Sequence, residues 1–228
     1  MRILSIGKTM TYEQLDILNI NESDLRTLLD VHTFNYIIIN GGDGTIRRVL
    51  KHIHTLDKIP KIILNPTGSF NVIAKLHRAP KVKAVLEKLA QGETPKTQTQ
   101  NIYSLNKEVF LFSAGNMGDL QHIFLSETLR FGILKNGIAK YLLSGLFLAP
   151  VHLIMTPFML LSPRRFFVFT PASFINKFGS FYGKVEEPIT IDLENAYNLI
   201  ELDGDVVTVE ESILRVDICG LVEVVGGV

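Results

Sequence analysis

Residues 35–48 read NYIIINGGDGTIRR, a stretch in which an apolar run is followed by three glycines around one aspartate. Because Asp-Gly between apolar runs is a strong signal for a β-hairpin, the first interpretation of Asp43-Gly44 is a two-residue turn. After the glycines, however, four apolar residues recur at helical spacing: Ile46, Val49, Leu50 and Ile53. The stretch therefore predicts a strand, a glycine loop and a helix. Such a unit presents backbone N–H groups and a helix N-terminus to phosphate at the carboxyl edge of a parallel sheet.

A second loop of the same kind lies in IILNPTGSFNVIAK, residues 62–75, where small residues again stand between a strand and a helix. Two such loops at neighbouring strand ends face one cleft. The candidate phosphate-binding residues are Gly41, Gly42, Gly44 and Thr45 in the first loop and Thr67, Gly68, Ser69 and Asn71 in the second. Asn71 is either a helix cap or a ligand-binding residue.

Asp43 differs from the other loop residues because its negative charge opposes the binding of phosphate. A carboxylate at this position is better suited to holding Mg²⁺, to holding a hydroxyl group or to orienting the loop. The alternative that needs no ligand is a tight turn between strand and helix, with Asp43 as the capping residue.

The alternation of apolar strands and helical stripes continues to about residue 97. It predicts a doubly wound parallel sheet, an α/β nucleotide-binding domain over residues 1–97, which includes a helix over 24–31. Beyond residue 97, short stretches with the period of half-buried strands predict a mostly antiparallel, β-sandwich-like second domain over residues 98–228. One of its strands is predicted over 109–114, and the final strand is a candidate for packing back on the first domain.

The composition narrows the classes of function. The chain has 228 residues with 23 basic and 23 acidic side chains, so no net positive field favours a nucleic-acid partner. The single cysteine, Cys219, excludes an intramolecular disulfide and fits a reducing cytoplasm. The first residues are too polar for a secretory signal peptide, which favours the same cytoplasmic location.

Residues 141–161 contain no Asp, Glu, Lys or Arg, and the segment is long enough to span a bilayer. Pro150 and Pro157 interrupt it, and each proline removes a backbone hydrogen bond from a helix. The preferred interpretation is therefore buried core. The alternatives are an interfacial patch that contacts a membrane and a true membrane span.

The two glycine loops together resemble a known family. GGDGT at residues 41–45, followed by PTGSFN at 66–71, is similar to the catalytic domain of diacylglycerol kinases, which also occurs in sphingosine, ceramide and bacterial lipid kinases. The pentad is shared with NAD kinases and phosphofructokinases, and the second loop favours the lipid kinases. FLFSAGNMGD at 110–119 and IELDGD at 200–205 resemble the family's entry into its second domain and its C-terminal Asp-Gly-Glu motif.

The resemblance implies a two-domain lipid kinase that uses ATP and Mg²⁺, with the ATP phosphates on the two glycine loops. The implied acceptor is a hydroxylated lipid such as diacylglycerol, with peripheral contact to the inner membrane, and a homodimer is left open. The implied catalytic residues are Asp43, Asp203 and Asp205, and the implied metal ligand is Asp43. Because Asp203-Gly204 lies between two alternating apolar stretches, a hairpin turn is an independent interpretation, and both can hold.

Departures from the family pattern keep a second hypothesis open, a nucleotide-binding relative without kinase activity. Gly7-Lys8-Thr9 follows the first strand, where the family has an Asn-Pro-x-Ser/Ala-Gly loop. Val72 follows Asn71, where the family commonly has Asp, and the family's second-domain Asp-Asp-Gly motif is not found. An NAD kinase is the third hypothesis, which the second loop disfavours.

Overall fold

The computed structural model describes residues 1–28, 30–68, 71–116 and 162–227, and eight helical positions between 143 and 161: 143, 146, 150, 154, 157, 158, 160 and 161. The chain forms two units. The first comprises Met1–Ile102 and Cys219–Val228, and the second comprises Tyr103–Ile218. The predicted division into a nucleotide-binding domain over residues 1–97 and a second domain over residues 98–228 stays a prediction.

The first unit is built on a parallel sheet. Its strands are β1 (Arg2–Ile6), β2 (Asp16–Ile20), β3 (Tyr36–Gly41) and β4 (Lys61–Pro66), and its helices are α1 (Asp43–Ile53), α2 (Val72–Leu76) and α3 (Val82–Ala90). Two further strands, β5 (Thr97–Leu105) and β14 (Ile213–Val225), have residues in both units. The order is β2-β1-β3-β4-β14, and each pair in this order is parallel. The predicted parallel α/β architecture is confirmed.

Strands β3 and β4 form the centre of this sheet. Their apolar runs, residues 37–39 and 62–64, pair in register and are almost fully buried, as expected for parallel strands covered on both faces. Because β1 lies between β2 and β3, the strand order changes direction at β1 and β3. In open α/β sheets a ligand binds outside the carboxyl ends of the strands at such a switch point. That point is where β3 enters the first glycine loop.

The prediction of one helix over residues 24–31 is wrong. The chain forms two 3₁₀ helices instead, Glu22–Thr27 and Val31–Thr33. The hydroxyl of Thr27 donates to the carbonyl oxygen of Asp24 at 2.8 Å. Because this bond competes for the carbonyl that a continuing α-helix would use, and because Leu28 is extended, the first helix ends at Thr27.

The second unit is mostly antiparallel, as the sequence predicts. Its strands are β6 (Glu108–Phe110), β7 (Ser113–Gly115), β8 (Phe167–Phe169), β9 (Lys177–Phe178), β10 (Phe181–Tyr182), β11 (Ile189–Asp192), β12 (Asn198–Leu202) and β13 (Asp205–Val209), and a 3₁₀ helix covers Thr170–Ala172. One sheet has the order β13-β12-β7-β8-β10-β9, in which β8 and β10 pair in parallel and the other neighbours antiparallel. β6 and β11 pair antiparallel with β5 and β14.

The single strand predicted over residues 109–114 is interrupted. Leu111 and Phe112 separate β6 from β7, and their backbone N–H groups donate to the carboxylate of Asp203 at 2.7 and 2.9 Å. A side chain from a distant part of the sequence therefore replaces a partner strand at these two residues.

Four large apolar side chains of the segment 141–161 are exposed: Leu146, Ile154, Phe158 and Leu161. The interpretation of the segment as buried core is therefore wrong for these residues. In the part of the chain that the structure describes, no helix has the length and apolarity needed to cross a membrane.

Candidate functional site

The first glycine loop begins where β3 ends. A side chain on Gly41 would place its Cβ 2.4 Å from the Cβ of Thr45, so Thr45 fills the space that a larger residue would need. The carbonyl oxygen of Gly41 accepts the backbone N–H of Thr67 at 3.2 Å, which extends the β3–β4 pairing into the two loops. Because α1 begins at Asp43, the N–H groups of its first turn lie beside this loop.

The two loops are in direct backbone contact at Gly42 and Gly68. A Cβ on Gly42 would lie 3.3 Å from the Cα of Gly68, and a Cβ on Gly68 would lie 2.8 Å from the Cα of Gly42. Asn71 braces the second loop, since its Oδ1 accepts the N–H of Gly68 at 3.0 Å and its Nδ2 donates to the carbonyl oxygen of Gly68 at 2.6 Å. Asn71 itself has a φ of 49°, a left-handed conformation that asparagine tolerates better than most residues.

The carboxylate of Asp43 joins the first loop to the helix after the second. Its Oδ2 accepts the N–H of Val72 at 2.8 Å, and its Oδ1 accepts the N–H of Ile73 at 3.0 Å. These are the first N–H groups of α2, which have no partner within their own helix. Asp43 therefore caps α2 from the other loop and fixes the position of the two loops relative to each other.

Burial raises the pKa of the Asp43 carboxyl above its ordinary value. The two backbone N–H groups and the positive charge of Lys75 act in the opposite direction. The residue is only 8% exposed, so the cost of removing a carboxylate from water exceeds what these partners return. Lys75, on α2, is thereby identified as a cation whose charge reaches the loops.

Thr45 is oriented by an arginine of the same helix. Its hydroxyl accepts a hydrogen bond from Nη2 of Arg48 at 3.2 Å. The guanidinium of Arg48 also donates to both carboxylate oxygens of Glu22, at 2.5 and 3.2 Å. A bidentate pair of this kind holds a side chain in one direction, so Arg48 fixes the hydroxyl of Thr45 beside the glycines.

A row of polar side chains crosses the carboxyl ends of β1, β3 and β4. Asn40 and Asn65 are paired in register, and Nδ2 of Asn65 donates to Oδ1 of Asn40 at 2.7 Å. Nδ2 of Asn40 donates in turn to Oγ of Ser5 at 3.1 Å and to the carbonyl oxygen of Ile6 at 2.8 Å. A Cβ on Gly7 would lie 3.0 Å from the carbonyl oxygen of Asn40, so the loop after β1 also lies against the end of β3.

The residues that the structure describes contain no group of three His, Cys, Asp or Glu side chains placed to hold a metal ion. Both carboxylate oxygens of Asp43 accept backbone N–H groups. The described side chains around Asp43 therefore do not fit a metal site built from protein ligands alone, and its assignment as a metal ligand stays a prediction. Mg²⁺ that arrives on nucleotide phosphates needs few protein ligands, because it keeps several waters.

Asp203 and Asp205 lie in the second unit, at the turn between β12 and β13. Asp203 has a φ of 51° and Gly204 a φ of 88°, the conformation of a two-residue hairpin turn, so the hairpin interpretation is confirmed. The carboxylate of Asp203 is buried and accepts three backbone N–H groups, those of Leu111, Phe112 and Ser113, at 2.7 to 3.0 Å. Asp203 therefore has a structural function in this unit, and catalysis by Asp203 or Asp205 stays a prediction.

Glu201 is a second buried carboxylate at the same turn. It accepts the hydroxyl of Ser113 at 3.1 Å and the N–H of Gly204. Sequence reasoning missed Glu201, although an acidic residue inside the apolar strand NLIEL is itself a signal of a buried hydrogen-bonding partner.

The structure thus brings together most of the residues predicted from the glycine loops: Gly41, Gly42, Asp43, Thr45, Thr67, Gly68 and Asn71. Gly44 lies in the first turn of α1, and Ser69 lies outside the described residues. Sequence reasoning missed Lys75 and the Asn40–Asn65 pair. The signal for that pair is that two neighbouring apolar strands, IIIN and IILN, both end in asparagine.

Comparison with known proteins supports the resemblance that the two glycine loops carry. Residues 10–102 match the family model of the diacylglycerol kinase catalytic domain, which confirms the resemblance over this stretch. A Streptococcus pneumoniae serotype 4 protein named "Putative lipid kinase" is 29% identical over 109 residues, which are 46% of this chain and 36% of that protein. This chain therefore spans about a third of that relative's length.

The fold is also that of a solved structure. The crystal structure of a diacylglycerol kinase from Bacillus anthracis str. Sterne is similar with a TM-score of 0.56 and 12% identity, over 99% of this chain and 96% of that chain. At this identity the similarity establishes the fold: a mostly parallel α/β part followed by a mostly antiparallel part.

Proposed function

We propose that this chain transfers the γ-phosphoryl group of ATP to the hydroxyl group of a lipid of the diacylglycerol type. The observation that carries the proposal is the pair of loops after β3 and β4, held together by the Gly42–Gly68 contact and by the carboxylate of Asp43. Paired loops and a helix N-terminus at a switch point are where α/β sheets bind nucleotide phosphates. The match of residues 10–102 to the diacylglycerol kinase catalytic domain supports a lipid acceptor.

In the proposed reaction the protein mainly positions the reactants and stabilises charge, because phosphoryl transfer passes through a loose transition state that needs little covalent participation. The N–H groups of the first turn of α1 bind the phosphates, because those of Thr67 and Gly68 in the second loop already donate to acceptors within the protein. Lys75 adds positive charge. Mg²⁺ enters with ATP as the substrate complex. Asp43 keeps the loops in place. Of the two candidate acceptors for the proton of the lipid hydroxyl, Asp205 fits better than Asp203, because the carboxylate of Asp203 already accepts three backbone N–H groups.

Label transfer from γ-labelled ATP with Mg²⁺ to diacylglycerol in mixed micelles tests the proposal. We expect label in the lipid fraction with the wild-type chain and with Asp57→Ala, which changes an exposed aspartate of the same unit. Asp43→Ala should lose the transfer because the two loops are no longer held together. Lys75→Ala should keep its fold and raise the KM for ATP. Transfer that survives Asp43→Ala unchanged would contradict the assigned role of the loops.

A nucleotide-binding protein without kinase activity is the second candidate function. The observation that favours it is that the carboxylate of Asp203 accepts three backbone N–H groups, which leaves it poorly suited to receive a proton. In that case ATP raises the Tm of the chain, and no label moves to lipid. A separate assay with NAD as the acceptor tests the third hypothesis, an NAD kinase, which would transfer the label to form NADP.

A further inference from the structure

Residues 128–185 have an unusual charge distribution. This stretch of 58 residues contains seven basic residues and no Asp or Glu, whereas the whole chain has a formal net charge of zero. The basic residues are Arg130, Lys135, Lys140, Arg164, Arg165, Lys177 and Lys184. One continuous part of the second unit is therefore strongly cationic in an otherwise balanced protein.

The same stretch exposes large apolar side chains to water. Leu146 is 70% exposed, Ile154 64%, Phe158 67% and Leu161 80%. All four positions are helical, and the intervals between 154, 158 and 161 are those that place side chains on one face of an α-helix. Large apolar side chains on a helix cost free energy when they contact water, so their exposure here indicates an interaction surface.

The hairpin formed by β9 and β10 adjoins the end of this helical segment and extends the exposed apolar surface. The backbone N–H and the hydroxyl of Ser180 donate to the carbonyl oxygen of Leu160, at 2.8 and 3.0 Å. Phe178, on β9 of the same hairpin, is 64% exposed, and the exposed Lys177 precedes it. Apolar and cationic side chains therefore lie next to each other on this hairpin.

Arg164 and Arg165 follow the helical segment directly and remain on the surface. Arg164 forms an ion pair with Glu194, and Nη1 of Arg165 donates to the carbonyl oxygen of Asn116 at 2.8 Å. The side chain of Arg164 is still 60% exposed. It can therefore contact a further anion without leaving its present partner.

We propose that these residues form a docking surface for an anionic phospholipid bilayer; the docking surface comprises Ile154, Phe158, Leu161, Arg164, Arg165, Lys177 and Phe178. The apolar side chains enter the boundary between headgroups and acyl chains, and the basic side chains contact the lipid phosphates. The absence of acidic residues from the stretch matches a negatively charged partner. A second copy of the chain fits less well, because a two-fold interface would bring two cationic stretches together.

Flotation with vesicles, measured without ATP, tests the proposal on the full chain. We expect the wild-type chain to float with phosphatidylcholine vesicles that contain about one-third phosphatidylglycerol, and to float much less with phosphatidylcholine alone or at about 1 M salt. A double variant, Phe158→Asp with Leu161→Asp, should bind at least about tenfold more weakly. Arg164→Ala with Arg165→Ala should weaken binding by about fivefold for each arginine removed.

The matched control is Tyr197→Asp with Ile213→Asp, which introduces the same two charges at exposed residues of the second unit outside the docking surface. It should float as the wild-type chain does. The proposal is overturned if the wild-type chain does not float with anionic vesicles, or if Phe158→Asp with Leu161→Asp floats as well as the control. It is also overturned if sedimentation shows a dimer that this double variant dissociates while vesicles have no effect.

The docking experiment is independent of phosphoryl transfer because it uses no nucleotide. An assay with a short-chain, water-soluble diacylglycerol separates the two proposals. If the chain is a kinase and docking is wrong, the soluble acceptor is labelled and flotation fails. If docking is right and the kinase proposal is wrong, the chain binds the vesicles, and neither the micellar nor the short-chain diacylglycerol is labelled.

Discussion

Gly42 and Gly68 approach each other so closely that a methyl group on Gly68 would lie 2.8 Å from the Cα of Gly42. The obstacle is backbone, which cannot rotate away as a flexible side chain can. Glycine is needed at these two positions because two loops from neighbouring strands pack against each other there. Neither glycine has the positive φ that is the usual reason for glycine in a loop.

Gly68→Ala should therefore lower the free energy of unfolding by about 1–3 kcal/mol, the usual cost of forcing extra atoms into a packed region. Gly220→Ala is the matched control, because the nearest atoms to its added Cβ lie at 3.8 Å. Urea unfolding of both variants measures the difference. Equal stability of the two variants would mean that the loops separate without cost.

The stability contributed by Asp43 should depend on pH in a direction that its burial sets. Burial raises the pKa of the folded carboxyl above its ordinary value of 3.8. At a pH between 3.8 and this raised pKa, the folded chain holds a proton that the unfolded chain has lost. In that window the free energy of unfolding decreases as pH rises. The wild-type chain should therefore lose stability relative to Asp43→Asn as pH increases through the window, and level off above it. If the wild-type chain instead gains stability relative to Asp43→Asn as pH rises, the N–H bonds outweigh burial.

Variants of Asp203 and Asp205 should distinguish a structural function from a catalytic one. Asp203→Ala leaves three buried N–H groups without their acceptor, so we expect a loss of about 3 kcal/mol or more in the free energy of unfolding. Asp205→Asn, at a half-buried position after the turn, should cost less than about 1 kcal/mol. The measurements are urea unfolding and label transfer. Loss of transfer in the stable Asp205→Asn variant would assign the proton acceptor to Asp205, and full activity in that variant would exclude it.

The ion pair between Lys61 and Glu223 should make a small contribution that disappears in acid. The Nζ of Lys61 lies 2.9 Å from Oε2 of Glu223, and this hydrogen bond lowers the pKa of Glu223 and raises that of Lys61. The stabilisation is therefore present above the ordinary glutamate value of 4.5 and is lost as pH falls through the lowered pKa of Glu223. At the alkaline end it is lost as pH rises through the raised pKa of Lys61.

A double-mutant cycle with Lys61→Met and Glu223→Gln measures this contribution. Because both side chains are more than one-third exposed, we expect a coupling of about 0.2–1 kcal/mol near neutral pH. The coupling should fall toward zero as pH drops through the lowered pKa of Glu223. A coupling that persists in acid would show that the two side chains interact through packing and not through charge.

The strands and helices around the two glycine loops could be predicted because their signals are local. The apolar run of β3, the glycines and the helical period of α1 occupy one short stretch, and each element is specified by residues within it. The helix predicted over 24–31 failed because the Thr27 side chain competes for a backbone carbonyl. The strand predicted over 109–114 failed because a carboxylate from residue 203 binds two of its N–H groups.

The sequence by itself determined the βα units, the pairing of two glycine loops and the change from parallel to antiparallel structure, because the period of apolar residues fixes which face of each element is buried. The tertiary structure decided what each carboxylate does. The sequence leaves Asp43 open as a metal ligand, a hydroxyl ligand or a cap, and the fold brings the N–H groups of Val72 and Ile73 to its oxygens. The physical reason is that the period of a pattern describes neighbours along the chain. The charge, protonation and hydrogen bonds of a buried carboxylate depend on the N–H groups that the fold brings to it from elsewhere in the sequence.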